Sequence, residues 1–125
     1  MISFEYFTPK EGVPIYLQIV LHVKRGIVSR EIKDADEMPS RRVLSALLGV
    51  NPNTVQKAYK QLEDEGLITS SQGTKSYASV GEQTASLLAE ELLRSDAKGA
   101  VESLKQMGLS LSEVLTLIER LWGEV

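Results

Sequence analysis

Asn51, Asn53, Thr54, Gln56 and Lys57 lie within one short stretch, and each carries a side chain suited to reading or gripping a polar surface. Asn and Gln present a donor beside an acceptor, which matches adenine bidentately, and Thr can hydrogen-bond a base or touch a thymine methyl. Arg41 and Arg42 stand upstream, Lys60 follows, and Gln72, Gly73 and Lys75 form a third group further on. Between residues 38 and 60 the charged residues are Arg41, Arg42, Lys57 and Lys60, with no acid among them. Acids crowd both flanks, with Asp34, Asp36 and Glu37 before the window and Glu63, Asp64 and Glu65 after it. Such a set suits a nucleic-acid duplex, with amides on base edges and cations on phosphates. A charge run alone is more often a solvated face, so the elements that carry these groups decide its meaning.

Those elements are legible from spacing. Residues 1–13 hold Phe4, Tyr6 and Phe7 with no sustained period and read as a loosely packed arm. Pro14 suits a helix start, and Tyr16, Val20, Val23 and Ile27 then recur at four-then-three spacing, an amphipathic helix of about four turns. A polar segment leads to Met38-Pro39-Ser40, where proline blocks helix in the residue before it and serine is a favoured N-cap. A short helix with Val43, Leu44, Leu47 and Leu48 apolar ends at Gly49, and Ser45 leaves room for a close helix crossing. Asn51 caps a third helix with Pro52 at its first position, running through Val55, Ala58, Tyr59 and Leu62 to Gly66. Two helices joined by a tight glycine-containing turn predict a helix-turn-helix. Residues 67–70 and 76–80 lean to strand and predict a hairpin, with Gly73 at a positive φ. Helical stripes follow at Ala85–Leu93, Val101–Met107 and Val114–Leu121, the last opened by a Ser110/Glu113 capping box.

Composition bounds the rest. With 125 residues the chain has room for one small domain and an accessory element, too little for a barrel enzyme. Cysteine is absent, which excludes disulfides, cysteine zinc sites and thiol nucleophiles. The one histidine, His22, lies on the polar side of the first helix with no second histidine for a metal site, so no metal or cofactor is expected. Glu90 and Glu91 are adjacent and do not share a helical face, Ser70-Ser71 lacks a base, and no glycine-rich phosphate loop occurs. These absences weigh against an enzyme. No apolar run matches a membrane span and no leader opens the chain, so a cytoplasmic protein is expected. The net charge of −3 argues against a nucleic-acid partner until it is divided. Residues 1–80 hold ten Lys/Arg against nine Asp/Glu, whereas 81–125 hold four against eight.

Pro14-Ile15-Tyr16-Leu17-Gln18-Ile19, Met38-Pro39-Ser40-Arg41-Arg42-Val43-Leu44, Val50-Asn51-Pro52-Asn53-Thr54-Val55-Gln56-Lys57-Ala58-Tyr59 and Leu62-Glu63-Asp64-Glu65-Gly66-Leu67-Ile68 resemble the GntR family of bacterial winged-helix regulators. The third run and the short tail are similar to its YtrA-like branch. The resemblance covers residues 12–80. It implies a dimeric transcription factor, usually a repressor, with DNA contacts at Arg42, Asn51, Asn53, Thr54, Gln56, Lys57 and Gly73. Three departures stand out: Lys75 replaces a second wing glycine, residues 29–38 lack glycine, and Asn53 and Gln56 stand where many relatives carry arginine. The operator therefore cannot be borrowed.

The expected fold class is mainly α with a small β-hairpin. A winged helix-turn-helix domain occupies residues 1–80, and a helical dimerisation region 81–125. The DNA-facing set is Arg41, Arg42, Asn51, Asn53, Thr54, Gln56, Lys57, Lys60, Gln72, Gly73 and Lys75. Residues 81–125 are too few to enclose a ligand pocket of the kind larger relatives append, and any small-molecule effector stays unassigned. Their apolar stripes exceed what a lone tail can cover. That predicts a two-fold homodimer interface at Leu88, Leu92, Leu104, Val114, Leu117, Ile118, Leu121 and Trp122. Two recognition helices would then meet a palindromic operator. The competing possibility is a winged-helix protein-interaction module without DNA binding, favoured by the overall acidity and the apolar tail.

Overall fold

Helix α1 spans Ile15–Val28 and turns Ile19, Val20, Val23 and Ile27 inward, the stripe its spacing predicts. The computed structural model describes residues 1–71 and 75–125. Helix α2, Arg41–Leu48, starts at Ser40, whose hydroxyl accepts from the Val43 N–H, and stops at Gly49 with φ 66°. Helix α3, Pro52–Asp64, starts at Asn51, whose side chain accepts from the Asn53 N–H. The Ser45 hydroxyl donates to the Val50 carbonyl at 2.6 Å, so the small residue expected at the crossing also ties the turn together. Strands β1, Ile68–Ser70, and β2, Ser76–Ala78, pair antiparallel, with Thr69 opposite Tyr77. Gly73, expected at the hairpin tip, lies outside the described residues.

The core gathers where α1, α2 and α3 meet. Val55, Ala58, Tyr59 and Leu62 of α3 are fully buried, as are Ile19 and Val23 of α1 and Leu44 of α2, and α3 packs on both of those helices. Val43 and Leu47 remain exposed, so the apolar count in α2 overstates its buried face. Tyr59 places its ring in this core and donates from its hydroxyl to the Pro39 carbonyl at 2.6 Å. Burial pushes that phenol well above its ordinary range, opposed by the Arg41 charge.

The polar segment before α2 also does more than connect. Met38 N–H donates to the Ser76 carbonyl and Ala78 N–H to the Asp36 carbonyl, so this segment adds a bridge beside β2. The N-terminal arm departs from the loose packing expected of it. Ile2 and Phe4 are buried, and the Ile2 N–H donates to the Glu37 carbonyl at 2.8 Å. His22 is the anchor. Its Nε2 lies 2.8 Å from the Ser3 carbonyl, and its ring packs 4.4 Å from Phe4 and 5.5 Å from Phe7, centroid to centroid. Aperiodic aromatics concealed this packing because their partner lies on another element.

Helix α4, Glu82–Gln106, carries the first two tail stripes on one unbroken helix, and α5, Leu111–Glu124, carries the third. The chain divides into two compact units, Met1–Leu88 and Ala89–Val125. The opening turns of α4 thus belong with the winged unit, where Ala85 and Leu88 are buried. Arg30, held at φ 70°, fixes this opening by a two-pronged ion pair to Glu82, both contacts at 2.8 Å. In the second unit Ser110 and Glu113 form the reciprocal capping box. Hydrogen bonds from the Ser110 backbone and hydroxyl hold the Glu113 carboxyl below its usual range, outweighing slight desolvation. Helix α5 buries none of its residues.

Candidate nucleic-acid interface

The capping of α3 sets which way its first turns face. Asn51 spends its Oδ1 on the Asn53 N–H at 2.8 Å, leaving its amide nitrogen to donate elsewhere. Val55, Ala58, Tyr59 and Leu62 take the core side, which leaves Asn53 and Gln56 exposed and Thr54 half-buried. Between α2 and α3 lies an open concavity of about 500 Å³ lined by Arg41, Arg42, Ser45, Ala46, Pro52, Asn53 and Gln56. Two of the three expected donor groups thus converge on one surface, with the positive end of the α3 dipole beside them. Arg42 is exposed and makes no ion pair among the described residues, so its guanidinium is available to a phosphate.

Other cations are engaged within the fold. Arg41 pairs with Glu63 at 2.9 Å and lies 5.0 Å from the centre of the Tyr59 ring. Its Nε is buried with no hydrogen-bond partner among the described residues. Lys57 holds its ammonium 4.0 Å from the centre of the Tyr16 ring, bracing α3 on α1. Lys60 faces Asp64 one turn on at 3.6 Å, and Lys75 lies 3.8 Å from Glu37. Both lysines are mostly exposed and loosely paired, so either can exchange its carboxylate for a phosphate at little cost. Gln72 and Gly73 lie outside the described residues.

The acids after the basic window are not a free outward run. Glu63 accepts from Arg41 and from the Ser70 hydroxyl, Asp64 meets Lys60, and Glu65 pairs with Lys24 of α1 at 2.8 Å. Desolvation raises the Glu65 pKa, but hydrogen bonds from Lys24 and Gln61 and the Lys24 charge outweigh it and leave the carboxyl below its usual range. Sequence reasoning missed Glu63, Tyr59 and Ser70 as partners of the reading surface. Lys60–Asp64 and Gln61–Glu65 carried a local signal, their i,i+4 spacing; the contacts of Arg41, Ser70 and Lys24 join separate elements.

Leu88 also departs from expectation. At 6% exposure it is buried in the winged unit, which removes it from any surface a partner could use. Leu92, Leu104, Val114 and Leu117 are half-buried, whereas Ile118, Leu121 and Trp122 are exposed, Trp122 at 83%.

The family model for bacterial regulatory proteins of the gntR family matches residues 15–77. The chain belongs to the GntR family. Over 102 residues it is 31% identical to the HTH-type transcriptional regulator YhcF of Bacillus subtilis, spanning 82% of this chain and 84% of that one. It is 41% identical to the HTH-type transcriptional repressor YtrA of the same organism over 76 residues, 61% of this chain and 58% of YtrA. A GntR family transcriptional regulator from Listeria monocytogenes superposes with a TM-score of 0.80 at 25% identity, covering 90% of this chain and 98% of the other. The GntR chain is therefore a winged helix-turn-helix DNA-binding regulator with YtrA homology, from a family of regulators and not of enzymes. Among the described residues no helix is long and apolar enough to cross a membrane.

Proposed function

We propose that this GntR-family chain is a cytoplasmic, homodimeric repressor that reads a palindromic operator with the α2–α3 face of each winged unit. The observation that carries this reading is the concavity where Arg42, Asn53 and Gln56 converge. In it Gln56 and Asn53 read base edges, Thr54 and the Asn51 amide assist, and Arg42 grips phosphate. Lys60 and Lys75 leave weak surface pairs to join the backbone contacts, the proposal extends those contacts to Gln72 and Gly73, and Lys57 stays close to its aromatic partner. Dimerisation rests on residues 89–125, whose exposed Ile118, Leu121 and Trp122 would cost less covered by the same helix of a second copy. The relative described as a repressor supports that sign of regulation.

The test is selection of a duplex from a random library by the native chain, followed by two variants. Gln56→Ala is expected to lose discrimination at one base position by about 1–3 kcal/mol while keeping its affinity for random duplex. Arg42→Ala is expected to weaken selected and random duplexes alike and to flatten the salt dependence by about one phosphate contact. Identical behaviour of the two variants would contradict the division between base reading and phosphate grip.

A further inference from the structure

Arg41 and Arg42 are neighbours on the first turn of α2, yet they face different work. Arg42 is exposed, whereas Arg41 is folded back between α2 and α3. Its guanidinium donates to Glu63 at 2.9 Å, and the same carboxyl oxygen takes the Ser70 hydroxyl of β1 at 2.6 Å. Ser70 then meets Ser76 of β2 at 3.1 Å. The chain of contacts Arg41–Glu63–Ser70–Ser76 links the first helix of the reading motif to the second and to both strands of the hairpin. Tyr59 closes it from below, its ring 5.0 Å from the Arg41 guanidinium and its hydroxyl fixed on Pro39 just before α2.

We propose that Arg41 is a positioning residue that fixes α2, α3 and the wing in one arrangement through Glu63, and that it does not itself touch DNA. The proposal rests on the operator-reading role given above. Two observations separate it from a phosphate contact. Reaching a phosphate would require Arg41 to leave a carboxylate only a third exposed and an aromatic face, both already in place. Lys60, by contrast, has a looser and more exposed partner in Asp64, and Lys75 holds Glu37 only at 3.8 Å. The buried Nε of Arg41, without a partner among the described residues, is a cost the site carries to hold this geometry.

Glu63→Gln gives the decisive experiment because it breaks the ion pair without removing any cation and keeps the side-chain shape. Affinity is measured for the duplex that the native chain selects from a random library, over a salt series, for the native chain, Glu63→Gln, Arg41→Ala and the swap Arg41→Glu with Glu63→Arg. A positioning role predicts that Glu63→Gln and Arg41→Ala each weaken that duplex on the order of tenfold with the salt slope unchanged, and that the swap recovers part of the loss. If Glu63→Gln binds as well as or better than the native chain, while Arg41→Ala lowers the slope by about one contact, Arg41 grips phosphate and the proposal fails. Should the native chain itself enrich no sequence, the operator reading falls and this inference falls with it.

Discussion

Gly26 lies in the middle of α1, where glycine costs a helix about 1 kcal/mol relative to alanine. Its reason is Ile32: a Cβ on Gly26 would sit 2.5 Å from the Ile32 Cδ1 and 2.8 Å from its Cγ1. Gly26→Ala is therefore expected to lower stability by about 1 kcal/mol net, since forcing a buried side chain aside outweighs the helix gain. In an Ile32→Ala background the same change should stabilise; denaturant melts of the four combinations check the change of sign. The residues expected to face DNA show what local sequence can and cannot convey. Asn51 and Ser40 announced their capping by position, and Asn53 and Gln56 announced their exposure by falling between the apolar residues of α3. The acid-free window was a weaker guide. Glu63 and Asp64 follow it in sequence but fold back onto Arg41 and Lys60, so linear charge counting missed the neutralisation that packing supplies.

At the level of elements, hydrophobic period located all five helices found among the described residues, because each has one face to hide or one stripe to offer. It did not reveal that the Ala85 and Val101 stripes share a helix, since nothing in the intervening polar run breaks helical geometry. Nor did it reveal the arm on His22 or the bridge beside β2, both built from contacts between distant segments. The join between α1 and α3 carries a pH signature. Glu65 has a folded pKa below its unfolded value, so its contribution is present above the unfolded carboxylate value and is lost as pH falls through the folded one. Lys24→Met should thus destabilise the protein at neutral pH, with the gap to the native chain closing in acid below the ordinary carboxylate range. Urea midpoints measured across that range test this, and a gap that stays constant would show that the pair is not its source. In α5, Ser110→Ala removes the cap that accepts from the Glu113 N–H and should cost about 1 kcal/mol of helix stability, read by circular dichroism on heating.

For the whole molecule, the overall charge of −3 averages two different surfaces, a reading face and an acidic tail. The proposed dimer contact lies in the tail. Helix α5 exposes Ile118 at 42% and Leu121 at 41% beside Trp122, an apolar stripe on the second unit. Changing Ile118 and Leu121 together to Asp should leave α1–α3 folded and shift the protein from dimer to monomer in sedimentation, with weaker operator binding because two linked readers become one. The central claim, that a pair of these chains reads one palindrome, is tested most directly by titrating the native chain onto the selected duplex, its half-site and a scrambled duplex, with the mass of each complex recorded. Two chains per palindrome, weaker binding to the half-site and a steep loss of affinity with added salt are the predicted results. Equal affinity for the scrambled duplex, or one chain bound per palindrome, would contradict the account.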